Sequence, residues 1–479
     1  MWRIVVYNRL HSCIVIYGER ILRMTANLQI SNISRHLIRQ HTRMLVLAIC
    51  VGVAAFACPP AGATGNVNAE ARGWPEFRGP WGNGHAAAPG ETLGLPLRWN
   101  ERENVVWKTA IPHQGWSTPV ILGGQVWLTT ATEDGHDFFV LCVAADTGEI
   151  LFNERLFHSD NPEPLGNEVN SYASPSPAIE PGRVYVHFGS YGTACLDTQS
   201  FETVWERTDL ECRHYRGPGS SAVLHDNLLL LTFDGADVQY VAALDKATGE
   251  TVWKTHRSTE WTDLDPDGQP LREGDFRKSF TTPLVIPVSD RELMISPASF
   301  AAFAYDVRTG QEIWHTTNLS YSPAPRPVFA SGLLFLTTGR GSAEIWALRP
   351  DGEGDVTDTH VVWHAGGSFV PSEPSPLLVD GLLYLVSNSG TVTCFEAQSG
   401  KEVWSHRLGG NYLASPVYAD GRIYICNTQG RTSALEAGRA AKVLATNELD
   451  AGCLASPAVA GKALFLRTRT HLYRIETED

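Results

Sequence analysis

The sequence predicts an all-β chain folded as an eight-bladed β-propeller. Three observations predict it: a tryptophan-ended motif recurs along the body, a proline-marked step opens each copy, and the last copy lacks one strand. Composition agrees with this. The 479 residues include 43 Gly and 14 Trp but only 4 Met, and 43% are apolar. Many turns and many large aromatic side chains suit short strands better than helices.

The clearest copy of the motif is Ala243-Leu244-Asp245-Lys246-Ala247-Thr248-Gly249-Glu250-Thr251-Val252-Trp253. Ala304-Tyr305-Asp306 with Thr309-Gly310 and Trp314 repeats it, as does Cys394-Phe395-Glu396 with Ser399-Gly400 and Trp404. In all three the tryptophan falls four residues after the glycine and eight after the acid. Thr147-Gly148 and Phe152 keep the glycine spacing, and Asp197 and Trp205 keep the other. Ala434-Leu435-Glu436 with Leu444 is a degenerate copy, and Ala347-Leu348-Arg349 reaches Trp363 through an insertion. The Thr-Gly step supplies the positive φ of a tight turn. The acids Asp197, Asp245, Asp306 and Glu396 precede that turn, where capping of backbone N–H groups is the expected role.

The second marker is Ser117-Thr118-Pro119, Ser176-Pro177, Ser220-Ser221, Thr282-Pro283, Arg326-Pro327, Ser375-Pro376, Ser415-Pro416 and Ser456-Pro457. There are eight such steps. A four-stranded sheet has two faces to cover, and radial stacking covers both. The last unit holds strands only at Ser456–Val459, Ala463–Arg467 and His471–Ile475, while a spare tryptophan strand stands early, at Asn104–Lys108. Trp107 is therefore expected to complete the last blade. Residues 97–479 form the propeller and 64–96 an extended, turn-rich lead-in containing Trp74-Pro75-Glu76-Phe77-Arg78-Gly79-Pro80.

Residues 1–63 read as a signal or presequence. Arg35, Arg39 and Arg43 precede the apolar run Met44–Ala57, too short to span a bilayer comfortably, and Ala61-Gly62-Ala63 offers a cleavage site. An uncleaved anchor and lipidation at Cys58 are the alternatives, and Met24 and Met44 are alternative starts. After cleavage no integral membrane segment is expected. Removing the seven Arg and one Glu of residues 1–63 leaves 31 basic against 51 acidic residues, a balance of about −20. No nucleic-acid partner is expected and anionic lipid is a poor candidate, since both need a basic footprint.

The body has Cys142, Cys195, Cys212, Cys394, Cys426 and Cys453, with no CxxC pair, so zinc-type spacing is absent and no metal ligand set is assigned. Cys142, Cys195 and Cys394 occupy the motif position held elsewhere by Ala243, Ala304, Ala347 and Ala434, and are expected to be small core fillers.

The A-x-D-x-x-T-G-x-x-x-W repeat resembles the docking motif of the PQQ-like propeller superfamily, which includes quinoprotein alcohol dehydrogenases and BamB-like envelope propellers. The lead-in, with Asn83, is similar to the opening segment of many secreted proteins of that kind. The resemblance covers residues 74–479. It implies that Trp107, Trp205, Trp253, Trp314, Trp363 and Trp404 are structural pins packed on neighbouring motifs. Fold of this kind does not fix function.

The connections from each tryptophan strand to the next inner strand are expected at one channel mouth. They offer Glu168, Asn170, Tyr172, His214, Tyr215, Arg216, Asp275, Arg277, Lys278, Tyr321, Arg326, Ser372, Glu373, Asn411 and Tyr412 as candidate ligand-binding residues. No catalytic Ser/His/Asp constellation is assigned. Two readings follow from the resemblance. In one, the chain is a monomeric, exported, non-enzymatic module that binds an envelope protein or a small ligand. In the other, it is a dehydrogenase holding PQQ and Ca²⁺ at the mouth, with Glu168 and Asn170 as two oxygen ligands. The vicinal Cys-Cys disulfide of such enzymes is absent from the sequence.

Overall fold

The computed structural model describes residues 73–477 except 262 and 318. The expected presequence, its start codons and Cys58 lie outside the described residues. Residues 67–479 form one compact unit.

Eight antiparallel sheets follow one another along the chain, an eight-bladed propeller. Blades 1 to 7 span residues 120–158, 178–207, 223–256, 284–316, 328–366, 377–407 and 417–448. Blade 8 contains strands Ala458–Ala460, Ala463–Arg467 and His471–Ile475, and its outer strand is Val105–Ala110, paired antiparallel with His471–Ile475. The early tryptophan strand thus closes the ring, as its surplus predicts.

The outer hairpin of every blade carries a register shift beside the motif, for example between Ala243 and Leu244 opposite Trp253. Such a bulge adds twist and re-aims a side chain, here swinging the docking residue toward the next blade. The indole N–H groups of Trp107, Trp205, Trp253, Trp314, Trp363 and Trp404 donate to the carbonyls of Ala145, Lys246, Val307, Pro350, Ala397 and Gly438, at 2.8–3.0 Å. Each acceptor belongs to the following blade. Gly148, Gly249, Gly310 and Gly400 lie under the rings of Trp107, Trp205, Trp253 and Trp363. Each has φ between +68° and +76°, and a Cβ there would meet indole carbon at 2.5–2.7 Å. Both conformation and contact therefore demand glycine. The motif acids cap the turns: Asp245 Oδ1 accepts from the N–H groups of Ala247 and Thr248, and Asp197 and Asp306 do likewise.

Two junctions depart from the motif. Between blades 1 and 2, Phe152 stacks on Phe201 with centroids 5.0 Å apart and planes 9° apart. Phe201 stands where other turns have glycine and itself adopts φ +62°. In blade 7 the register sets Ala445, not Leu444, opposite Ala434. The turn there carries one extra residue, which defeats the eight-residue count. The insertion before Trp363 also has a structure. Gly354–Asp355 pairs in parallel with Glu312–Thr316 of blade 4, and the segment buries Trp314 completely.

The proline-marked steps form a second ring around the channel. Backbone N–H groups of Thr118, Ser176, Ser221, Arg326, Ser375 and Ser415 donate to the hydroxyls of Ser176, Ser221, Thr282, Ser375, Ser415 and Ser456, at 2.9–3.0 Å. At the two remaining junctions a buried arginine spans the gap. Arg326 Nε donates to Pro283 O, and Arg467 Nη1 to Ser117 O. Buried polar groups are costly unless bonded, and this ring satisfies them blade by blade.

Candidate functional site

The lead-in crosses the channel and gives it a floor. Trp74 pairs with Ile121 of blade 1, Pro75 O accepts from Ile179 N of blade 2, and Gly84 and Ala86 bond to Tyr418 of blade 7. These contacts also cover the free inner strand edges, which exposed sheets must otherwise manage. Arg78, fully buried, donates to Pro376 O at 2.8 Å and Pro416 O at 2.5 Å. Arg326 answers from blade 5, meeting Glu76 Oε1 at 2.9 Å and Phe77 O at 2.6 Å.

Above this floor lies a cavity of about 310 Å³. Phe77 lines it, with Thr118, Ser176, Ser221, Thr282, Ser415 and Ser456 of the hydroxyl ring. Trp116, Phe276, Phe280 and Tyr321 supply ring faces, and Phe276 and Tyr321 meet edge-on at 4.6 Å. Phe276 is set over the mouth by three consecutive residues, Arg272 to Gly274, in left-handed conformation.

Two ion pairs frame the opening. Arg216 Nε and Nη2 grip Asp275 at 3.1 and 3.2 Å, which holds the guanidinium above its ordinary pKa. Arg340 pairs with Glu373, which also accepts from Asn388. Burial nevertheless pushes the Glu373 carboxyl above its usual value, with Arg340 opposing.

Of the candidate residues, Asn170, Arg216, Asp275, Tyr321 and Glu373 line this cavity. Asn170 is fixed there, its amide donating to Arg216 O and Pro218 O. Tyr215 lies beneath Arg216, 4.8 Å from its guanidinium. Glu168 and Asn411 are exposed outside it. Ser372 is half-buried, its backbone N–H donating to Asn388 Oδ1, and the rest turn inward. Tyr172 donates to Glu163 O, Arg277 pairs with Asp263 at 2.6 Å, and Tyr412 is wholly buried in the core of blades 6 and 7. Arg326 lies below the floor. His214 is buried with Nε2 3.2 Å from the Cys212 sulfur; burial drives its pKa well down and holds the Cys212 thiol up. Sequence reasoning missed Phe77, Trp116, Phe276, Phe280 and Arg340. Only Phe77, inside the conspicuous Trp-Pro-x-Phe-Arg-Gly-Pro run, had a signal. Away from the mouth, His225 Nε2 bonds Glu292 at 3.1 Å beside Asp226.

A family model described as outer membrane protein assembly factor BamB matches residues 237–479, half of the chain. The chain belongs to this PQQ-like propeller family. No curated protein matches its sequence. Solved structures share the family fold at low identity. A europium-containing methanol dehydrogenase aligns with TM-score 0.63 and 12% identity, over 83% of this chain and 89% of that one. A quinohemoprotein alcohol dehydrogenase from Comamonas testosteroni gives 0.63 and 12%, over 86% and 81%. BamB from Moraxella catarrhalis gives 0.50 and 12%, over 78% and 99%. At such identity these likenesses establish the PQQ-like propeller fold alone. Among the described residues, no helix is long and apolar enough to cross a membrane.

Proposed function

We propose that this PQQ-like propeller is an exported, monomeric binding module of the cell envelope, which holds a partner loop or a small ligand at the channel mouth without transforming it. One observation carries the reading. Both carboxylates lining the cavity, Asp275 and Glu373, are held by arginines. Ring faces, hydroxyls and peptide groups remain, the makings of a binding site more than of proton abstraction. Export rests on the apolar run at 44–57 and the cleavage site at 61–63. The family model's BamB description supports an envelope role.

The second reading, a PQQ- and Ca²⁺-dependent dehydrogenase, draws on the two dehydrogenases that share the fold. The residues of this mouth do not fit that centre. Ca²⁺ needs six to eight oxygen ligands, whereas the lining carboxylates are taken, Glu168 is exposed outside the cavity, and no two cysteines are adjacent in sequence. Two measurements separate the readings. Tagged protein should capture an envelope component that a Phe276→Ala/Tyr321→Ala variant loses while melting at the same temperature; equal capture by both would sink the binding reading. PQQ with Ca²⁺ should leave the melting temperature unchanged, because only what binds the native state stabilises it. A rise, or dye-linked alcohol oxidation, would establish the dehydrogenase instead.

A further inference from the structure

We propose that Cys426 and Cys453 form a disulfide that locks blade 7 to the segment entering blade 8. Cys426 ends strand Arg422–Cys426, and Cys453 lies in the connection that leads to Ala458. Their backbones run side by side, with Cys453 N donating to Asn427 O at 3.1 Å. Both side chains are buried, 1% and 2% exposed, in one core cluster. Both are free thiols there, and the Cys426 sulfur lies 3.2 Å from the Thr432 hydroxyl. The pair replaces bulk found in the neighbouring blade. Strand Leu382–Val386 ends in Val386, and Tyr412 stands three residues before Ser415-Pro416, as Cys453 stands before Ser456-Pro457. Val386 and Tyr412 fill that place in blade 6 with a valine and an aromatic ring, both wholly buried. Two short side chains in the same place let the backbones approach, as a disulfide requires. The remaining described thiols have other surroundings: Cys142, Cys195 and Cys394 face docking residues of separate blades, and Cys212 faces His214.

One cysteine thiolate of the folding chain attacks one sulfur of a small disulfide oxidant such as oxidised glutathione and expels a thiolate. The other cysteine sulfur then displaces the second. Two protein S–H bonds and the S–S bond of the oxidant break, one protein S–S bond forms, and the two protons end on the oxidant's sulfurs, which leave as two thiols. Both sulfurs are covered in the closed ring, so the exchange belongs to folding. The pairing holds whatever the mouth binds.

The test is oxidative refolding of the full chain in glutathione buffer, followed by alkylation, non-reducing peptide mapping and melting. The expected map links the peptides containing 426 and 453. Reductant should lower the melting temperature of the wild type by several degrees and leave a Cys453→Ala variant unmoved. If that variant does not fold, the wild-type map and its melting with and without reductant decide alone. Both cysteines recovered alkylated, a link to a different cysteine, or a wild-type melting temperature indifferent to reductant would each overturn the proposal.

Discussion

The docking belt and the channel mouth are built from the same eight blades by opposite rules. Around the belt, six indoles make the same bond to the next blade's turn, four of them over a glycine. Around the mouth, each blade presents different residues: an amide at Asn170, a guanidinium at Arg216, a ring at Tyr321, a carboxylate at Glu373. Repetition marks what holds the ring together, and divergence marks where a particular ligand would be read. Even inside the belt the rule bends by compensation, since the phenylalanine replacing the docking tryptophan at 152 faces another replacing the turn glycine at 201.

Substitutions can break that division, and the largest effect belongs to the belt. Trp314→Ala removes a fully buried indole and its bond to Pro350 O, and should cost about 3–5 kcal/mol in denaturant unfolding. It should leave ligand capture by the folded fraction intact; lost capture would mean belt and mouth are not separable. Acid probes the layer beneath the mouth. His187 and His214 are buried and held neutral, His187 with its pKa down to about 3 by desolvation. The unfolded chain takes up those protons below 6.5 and the native one does not, so the stability is full above pH 6.5 and lost as pH falls toward 3. Each histidine should contribute a slope of about 1.4 kcal/mol per pH unit, and a His187→Gln variant should lose its share; an unchanged slope would refute the assignment.

A double-mutant cycle sharpens the account of the odd junction. Phe152→Ala and Phe201→Ala should each destabilise, with a coupling of about 0.5–1.5 kcal/mol between them from the stacked pair. Additive effects would show that the two rings sit together without supporting each other. The smallest effect on stability is expected at the mouth. Phe276→Ala, on a loop rim, should shift the unfolding free energy by only about 0.5 kcal/mol, while reducing capture of whatever the mouth holds.

Much of the ring was legible in the sequence because its signals are local. Glycine, acid and tryptophan keep fixed spacing when a tight turn joins two strands, and a missing last strand can be counted against Trp107. The same counting slipped at Leu444, where one added turn residue moved Ala445 into register. The mouth was only partly legible, since loop position does not fix side-chain direction. Tyr412 and Tyr321 both precede a proline-marked strand, yet one is core and the other lines the cavity. The floor was missed altogether. Phe77 and Arg78 act through partners hundreds of positions away, such as Pro376 and Pro416, and an irregular segment has no period to read.

The composite blade has a consequence for how the protein is made. Val105–Ala110 is synthesised hundreds of residues before its partner His471–Ile475. Until then the nascent molecule is an open arc with an unpaired strand at one end and an uncovered blade at the other. Truncation before His471, or a pause in synthesis there, would strand that arc with adhesive edges. Quality control of this protein should therefore act on the seam, where closure of the ring is registered in a single pairing.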